Sequence, residues 1–205
     1  MLSEHENNQN KITGVILAGG LAKRMNNQDK GLINYNKQPL VTYAITALST
    51  ITKHILINAN RNREAYLSFG FPVIADQTED FQGPLAGILT AMLNTDADIL
   101  LIAPCDSPLI KGEHLQKILT ALTENDVDVA VAFDGKRLHP IFLALRRSLK
   151  NNLQDYLDSG QRKVLNWLNQ QNMIKVNFED EPEIFININT LTELAELEAF
   201  MPPSL

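Results

Sequence analysis

Cysteine is nearly absent from this 205-residue chain: Cys105 stands alone. A single cysteine excludes an internal disulfide and fits a reducing compartment. Long apolar runs are missing too, and none reaches the length of a membrane span. Residues 1–11 are polar and lack the apolar core of a secretory signal. They read as a short disordered lead on a cytoplasmic protein. Nor is there an excess of positive charge: 18 Lys and Arg against 24 Asp and Glu leave a net charge of −6. A chain that grips nucleic acid over a broad surface is basic, so that class is disfavoured. An anionic substrate must instead be held by a local cluster of positive charge, or by a metal. No internal repeat or low-complexity tract interrupts the chain. What is present is an ordinary 44% of hydrophobic residues, enough for one domain over residues 12–205 with a substantial core.

Short apolar runs, often β-branched, predict strands at 12–17, 54–59, 72–75 and 98–103. Helical patterns fall between them at 40–51, 63–69 and 85–94. Pro39 and Pro84 stand just ahead of two of these, where proline suits a first helical turn. Strand alternating with helix predicts an α/β chain with a parallel sheet covered on both faces. The second half continues with a helix at 112–124, a strand at 127–133, a turn at Asp134-Gly135 and a strand at 140–145. Helices follow at 149–158 and 163–171. Strands at 173–178 and 184–188 flank an acidic, proline-containing loop. A last helix opens on Thr190, with Glu193 completing a capping box. Ligands in the first half should gather beyond the carboxyl ends of the strands.

Two segments carry chemistry. In the first, the apolar run Gly14-Val15-Ile16-Leu17-Ala18 leads into Gly19-Gly20, then Lys23, Arg24 and Lys30. Glycines let backbone N–H groups approach an anion, and the basic residues add charge. The spacing is neither a Walker A loop nor a Gly-x-Gly-x-x-Gly fingerprint. A plain strand-to-helix turn is the competing reading. In the second, a strand ends at Asp106, pinned between Pro104 and Pro108. A hard oxygen ligand beside a phosphate loop suits Mg²⁺, although an aspartate in a turn has the same look. Asn58 and Asp76 each follow a strand on the same sheet edge. An amide and a carboxylate there can read a purine or a ribose, or can simply form turns. The loop at 77–82 reads as a lid.

Leu17-Ala18-Gly19-Gly20-x-x-x-Arg24-Met25-x-x-x-Asp29-Lys30-Gly31 resembles the signature of nucleotidyltransferases with a Rossmann-like core. Ala-Gly-Gly followed by Asp-Lys-Gly is most similar to the molybdenum cofactor guanylyltransferases, the MobA family. Asn26 departs from the family's usual glycine. Further likenesses lie in Pro104-Cys105-Asp106-Ser107-Pro108, in Gly83-Pro84-Leu85-Ala86-Gly87, in His139-Pro140, around Tyr156–Val164 and in Asn187-x-Asn189-Thr190. Together they extend from about residue 12 to residue 197.

The resemblance implies a three-layer α/β/α nucleotidyltransferase fold with a mostly parallel sheet. A nucleotide half would span about 12–108 and a molybdopterin half about 109–200. It implies transfer of GMP from GTP to the terminal phosphate of Mo-molybdopterin. GTP would contact Leu17, Ala18, Gly19, Gly20, Lys30, Asn58, Asp76 and Asp106. Arg24, Lys30 and Asp106 would be catalytic, with Mg²⁺ on Asp106. Gly83, Gly87, His139, Arg162, Asn187 and Asn189 would face the pterin. Partners would be GTP, Mo-molybdopterin and molybdoenzyme maturation chaperones or acceptor enzymes, in a monomer with no nucleic acid and no membrane. A relative using CTP or a sugar phosphate, and a non-catalytic nucleotide or cofactor carrier, are the alternatives.

Overall fold

The first strand, β1 (Ile12–Leu17), is buried on both sides, and its alternate residues feed two cores. Val15 packs into one and Ile16 into the other, as the two-residue period of a strand requires. This computed structural model describes residues 12–18, 28–76 and 83–200. After β1 come a small hairpin, β2 (Asn34–Tyr35) and β3 (Gln38–Pro39), and helix α1 (Leu40–Ser49). The chain continues through β4 (Ile55–Asn58), α2 (Arg63–Leu67), β5 (Val73–Ile74), α3 (Pro84–Leu93) and β6 (Ile99–Pro104). Then follow α4 (Gly112–Thr123), β7 (Val129–Phe133), β8 (Leu138–Arg146), α5 (Lys150–Asp158), α6 (Val164–Leu168), β9 (Met173–Asn177) and α7 (Leu191–Phe200).

The main sheet has seven strands in the order β5-β4-β1-β6-β8-β7-β9. Only β8 runs antiparallel to its neighbours within it. The fold is thus α/β with a mostly parallel sheet. Side chains of α1, α2 and α4 join the core on one face, and those of α3, α5 and α6 join the core on the other. Strand order turns at β1: the chain passes outward to β4 and β5, then returns through α3 on the opposite face to β6. Such a reversal opens a crevice beyond the carboxyl ends of the two strands that flank it.

Several local details differ from the sequence-based expectation. The expected strand at 184–188 is a 3-10 turn, Pro182–Phe185, followed by extended chain outside the sheet. That chain has other work: Ile188 N–H donates to Asp106 O at 2.9 Å. The β2–β3 hairpin was not expected, because two-residue strands show no periodicity. Its two turn residues, Asn36 and Lys37, both have positive φ (47° and 68°), as a tight hairpin of this twist demands. The strand expected at 140–145 starts earlier, at Leu138. The β7–β8 register slips between Val131 and Ala132, pairing Val131 with Leu143 but Ala132 with His139. Pro140, which has no N–H to give a ladder, sits inside that irregularity.

Candidate functional site

Lys30 and Asp106 are 76 residues apart in sequence and meet at the crevice. Lys30 begins a 3-10 turn (Lys30–Leu32), and Asp106 lies just past the end of β6. Cys105 N–H donates to Leu17 O at 3.2 Å, which fastens this corner to the end of β1. The Lys30 ammonium stands 3.0 Å from Asp106 Oδ2 and 2.6 Å from Asn189 Oδ1. Asn189 Nδ2 donates to Asn187 O at 3.2 Å, and that bond turns its carbonyl oxygen toward the lysine. Asn187 Oδ1 accepts from Ser107 Oγ at 2.6 Å. The 187–189 segment is therefore laced to the Asp106 corner by two bonds, at Asn187 and Ile188, and to Lys30 by a third at Asn189.

The start of α7 holds that segment from the other side. Glu193 Oε2 accepts from Asn189 N and Thr190 N at 2.7 and 3.0 Å, and Glu193 N–H donates to Thr190 Oγ1 at 3.1 Å. This is the capping box read from the sequence, now seen to brace Asn189. Helix α7 in turn packs Leu194 and Leu197 against Tyr35, Leu40 and Ile188.

A second cluster lies at the ends of β4 and β5. Asp76 Oδ1 accepts from Asn58 Nδ2 at 2.9 Å, and Oδ2 accepts from Asn60 Nδ2 at 2.8 Å. Asn60 Oδ1 also accepts from Asp76 N–H at 2.8 Å, so residues 60 and 76 clasp each other at two points. The Thr90 hydroxyl points at Asp76 Oδ1 from 3.5 Å. Asn58 is 3% exposed and spends its amide on Asp76. Its carbonyl oxygen lies against the Cα of Gly87, where a Cβ would overlap it. The carboxylate of Asp76 is less buried than Asn58. The sequence reading missed Asn60 and Thr90. The spacing of Asn58 and Asn60 carried the signal for the first, since residues two apart at a strand end share a face. Nothing in the sequence pairs Thr90 with Asp76.

His139 closes a third cluster. Its Nε2 lies 2.8 Å from Asp134 Oδ2, and its ring stacks on Phe185 with centroids 4.0 Å apart. Asp134 also accepts from Arg137 N and Lys136 N at 2.7 and 2.8 Å. The bond from Arg137, then those from His139 and Lys136, hold its carboxyl well below the usual carboxylate range. An ionised Asp134 keeps the imidazole proton on Nε2. Phe185 stands two residues before Asn187, so the stack steadies the approach to the Lys30 corner.

The remaining sequence candidates scatter. Gly83 caps α3 with a φ of 112°, which suits glycine. Gly87 packs on Asn58 and Leu17. Arg162 donates to Leu157 O and Gln161 O, both at 2.7 Å, in the loop after α5. Cys105 is buried, and burial, then the charges of Asp106 and Asp29, push its thiol far up. Gly19, Gly20, Arg24 and the 77–82 loop lie outside the described residues. A cleft of about 780 Å³ opens at the opposite end of the strands, lined by Thr13, Lys53, His54, Asp96, Arg147 and Lys150 among others. It holds none of the candidate residues.

A family model described as a MobA-like NTP transferase domain matches residues 14–173. The chain is 43% identical over 187 residues to a molybdenum cofactor guanylyltransferase of Shewanella loihica, covering 91% of this chain and 95% of the relative. It is 45% identical over 186 residues to the protein of the same name from Shewanella piezotolerans, covering 91% of each. Its fold is similar to the crystal structure of molybdopterin-guanine dinucleotide biosynthesis protein A from Archaeoglobus fulgidus. The TM-score is 0.76 at 21% identity, over 92% of this chain and 97% of that one.

Proposed function

The chain belongs to the MobA-like NTP transferase family, and from that premise we propose that it transfers GMP from GTP to the terminal phosphate of Mo-molybdopterin. The products are molybdopterin guanine dinucleotide and pyrophosphate. The observation that carries this reading is the Lys30 ammonium, held 3.0 Å from Asp106 and 2.6 Å from Asn189 where β1 and β6 end. An oxygen of the pterin phosphate attacks the α-phosphorus of GTP and forms the new P–O bond. The bond to the bridging oxygen breaks, and its electron pair leaves with pyrophosphate. The nucleophile is supplied by the substrate, so no protein nucleophile is required. Cys105, buried and kept protonated, takes no part.

What remains for the protein is positioning and charge. Two unit negative charges about 4 Å apart repel by about 4 kcal/mol at an effective dielectric near 20. Lys30 carries a compact charge on a flexible stem, suited to following a phosphoryl oxygen as charge grows on it. Arg24, from the glycine-rich segment, is proposed to share that role. No group of three or more His, Cys, Asp or Glu side chains assembles a metal cage among the described residues. Mg²⁺ commonly binds through one or two carboxylates plus substrate phosphates, and Asp106, stiffened by Pro104 and Pro108, fits that mode. Asp106 would hold the ion, which supplies Lewis-acid neutralisation of the triphosphate when bound. Asp76 accepts from the guanine N1–H and amino group, and Asn58 and Asn60 hold it in place. The pterin half draws on Gly83, His139, Arg162, Asn187 and Asn189.

No helix among the described residues is long and apolar enough to cross a membrane. We place the reaction in the cytoplasm, where a lone thiol stays reduced, with the product passing to maturation chaperones or acceptor molybdoenzymes. The test is pyrophosphate release from GTP with Mo-molybdopterin. Lys30→Ala and Asp106→Ala should each fold and lose about 100-fold or more in turnover. An unchanged Mg²⁺-dependent rate in Asp106→Ala rejects the metal role, and preference for CTP over GTP rejects the nucleotide assignment.

A further inference from the structure

The side chain of Lys30 is secured at its tip, but its backbone is secured elsewhere, by one tyrosine. Asp29, just before it, is 7% exposed. Its Oδ1 accepts from the Tyr66 hydroxyl at 2.5 Å, and its Oδ2 accepts from Asn62 Nδ2 at 3.2 Å. Gly31, just after it, is buried with its Cα against the same phenol. A Cβ at Gly31 would collide with the Tyr66 hydroxyl and lie 3.2 Å from Cε1 and Cζ. One phenol group therefore touches both residues that flank Lys30. Two backbone bonds, Leu32 N to Asp29 O at 3.0 Å and Ile33 N to Lys30 O at 3.1 Å, make the turn a unit that moves as one.

Tyr66 is itself fully buried, so it has no freedom to follow a displaced turn. It belongs to the core formed with Ile16, Ile57 and Cys105. Burial, reinforced by its anionic surroundings, raises its pKa far above the ordinary tyrosine value, so the hydroxyl remains a donor to Asp29. Asn62, which caps α2 with a left-handed φ of 49°, adds the second bond to the carboxylate. Helix α2 thus presents a rigid ledge to the Asp29-Lys30-Gly31 turn.

We propose that Tyr66 is a positioning residue for the transfer reaction, setting Lys30 through a hydrogen bond to Asp29 and a close contact with Gly31. The proposal rests on the transferase reading given above and extends it to a residue from a different element. A tyrosine that merely filled the core would act on stability alone, with no link to the lysine.

The experiment is a double-mutant cycle in the full-length enzyme, reading kcat and KM for GTP by pyrophosphate release. Tyr66→Phe should lower kcat about tenfold and leave KM for GTP within about twofold, as misplacement of a catalytic group does. In a Lys30→Arg background, the same substitution should cost less than about twofold, because the geometry it protects is already lost. Gly31→Ala should be impaired by more than Tyr66→Phe, and Gly31→Ala with Tyr66→Phe should recover to the level of Tyr66→Phe alone, since the colliding oxygen is gone. Equal losses in both Lys30 backgrounds, or a wild-type kcat in Tyr66→Phe, would overturn the proposal. A double variant no better than Gly31→Ala would overturn the shared contact. Failure of the transferase reading shows separately, as no pyrophosphate release from GTP and Mo-molybdopterin by the unaltered enzyme.

Discussion

Replacing Gly87 with alanine tests whether the first turn of α3 sets Asp76, the carboxylate proposed to read the base. The added Cβ would overlap Asn58 Oδ1 and stand 3.0 Å from both Asn58 Cγ and Leu17 Cδ2. Both neighbours sit at strand ends and have little room to retreat. Overpacking of this kind costs about 1–3 kcal/mol, whereas alanine is better than glycine within a helix by about 1 kcal/mol. The net loss is then about 0–2 kcal/mol, a fall of a few degrees in Tm for a chain of this size. The effect on binding should be sharper. Asn58 donates to Asp76 Oδ1 at 2.9 Å, and hydrogen bonds to charged groups contribute about 1.5–3 kcal/mol. Weakening that bond by about half removes about 0.8–1.5 kcal/mol, or about fourfold to tenfold in affinity. KM for GTP should rise about fourfold to tenfold while kcat stays within about threefold. Inosine triphosphate lacks the exocyclic amine, so its KM should rise less. The assay is pyrophosphate release with each nucleotide, alongside a thermal melt. An unchanged KM for GTP and an unchanged Tm would refute the tight Asn58–Gly87 contact. Equal rises for both nucleotides would refute recognition of the amine by Asp76.

Glu193→Ala removes the bonds to Asn189 N and Thr190 N, and should cost about 1 kcal/mol of stability by thermal melt. Turnover should fall with it, because Asn189 is left to the Asn187 carbonyl and Lys30; full turnover would mean the cap serves α7 alone. Asp134→Asn concerns acid stability. A carboxyl held below its unfolded pKa stabilises the fold above that value, about pH 4, and the contribution is lost as pH falls through the folded pKa. The variant should therefore melt below its parent at pH 7, and the gap should close on acidification below about pH 4. A gap independent of pH would contradict the lowered pKa of the Asp134 carboxyl.

How far the site was legible depended on whether its parts are local. The end of a buried strand followed by Asp106 between two prolines is written in consecutive residues, and the capping box from Thr190 to Glu193 is too. Asn58 and Asp76 were legible as strand-end residues, but their bond was not, because it joins two strands through the sheet. The misread strand at 184–188 has a physical reason as well. The apolar residues Ile184, Phe185, Ile186 and Ile188 read as a strand, yet Ile184 N and Ile186 N donate to Glu181 O and Glu183 O, and Ile188 N donates to Asp106 O rather than to a neighbouring strand. Ile184 and Phe185 are both buried while Ile186 is exposed, so burial does not follow a period of two here, and an apolar run says nothing about which groups the N–H and C=O find.

Local order along the chain was thus enough to determine the alternation of strand and helix, the two-faced burial of β1 and β6, and the segments that bear charge, because each depends on residues a few positions apart. The chain folded in space decided the rest. The reversal at β1 brings Lys30 to Asp106 and Asn189 across 76 and 159 residues, and α2 delivers Tyr66 beneath both neighbours of the lysine. Contacts of that range follow from how the layers stack, and no window of sequence contains both partners.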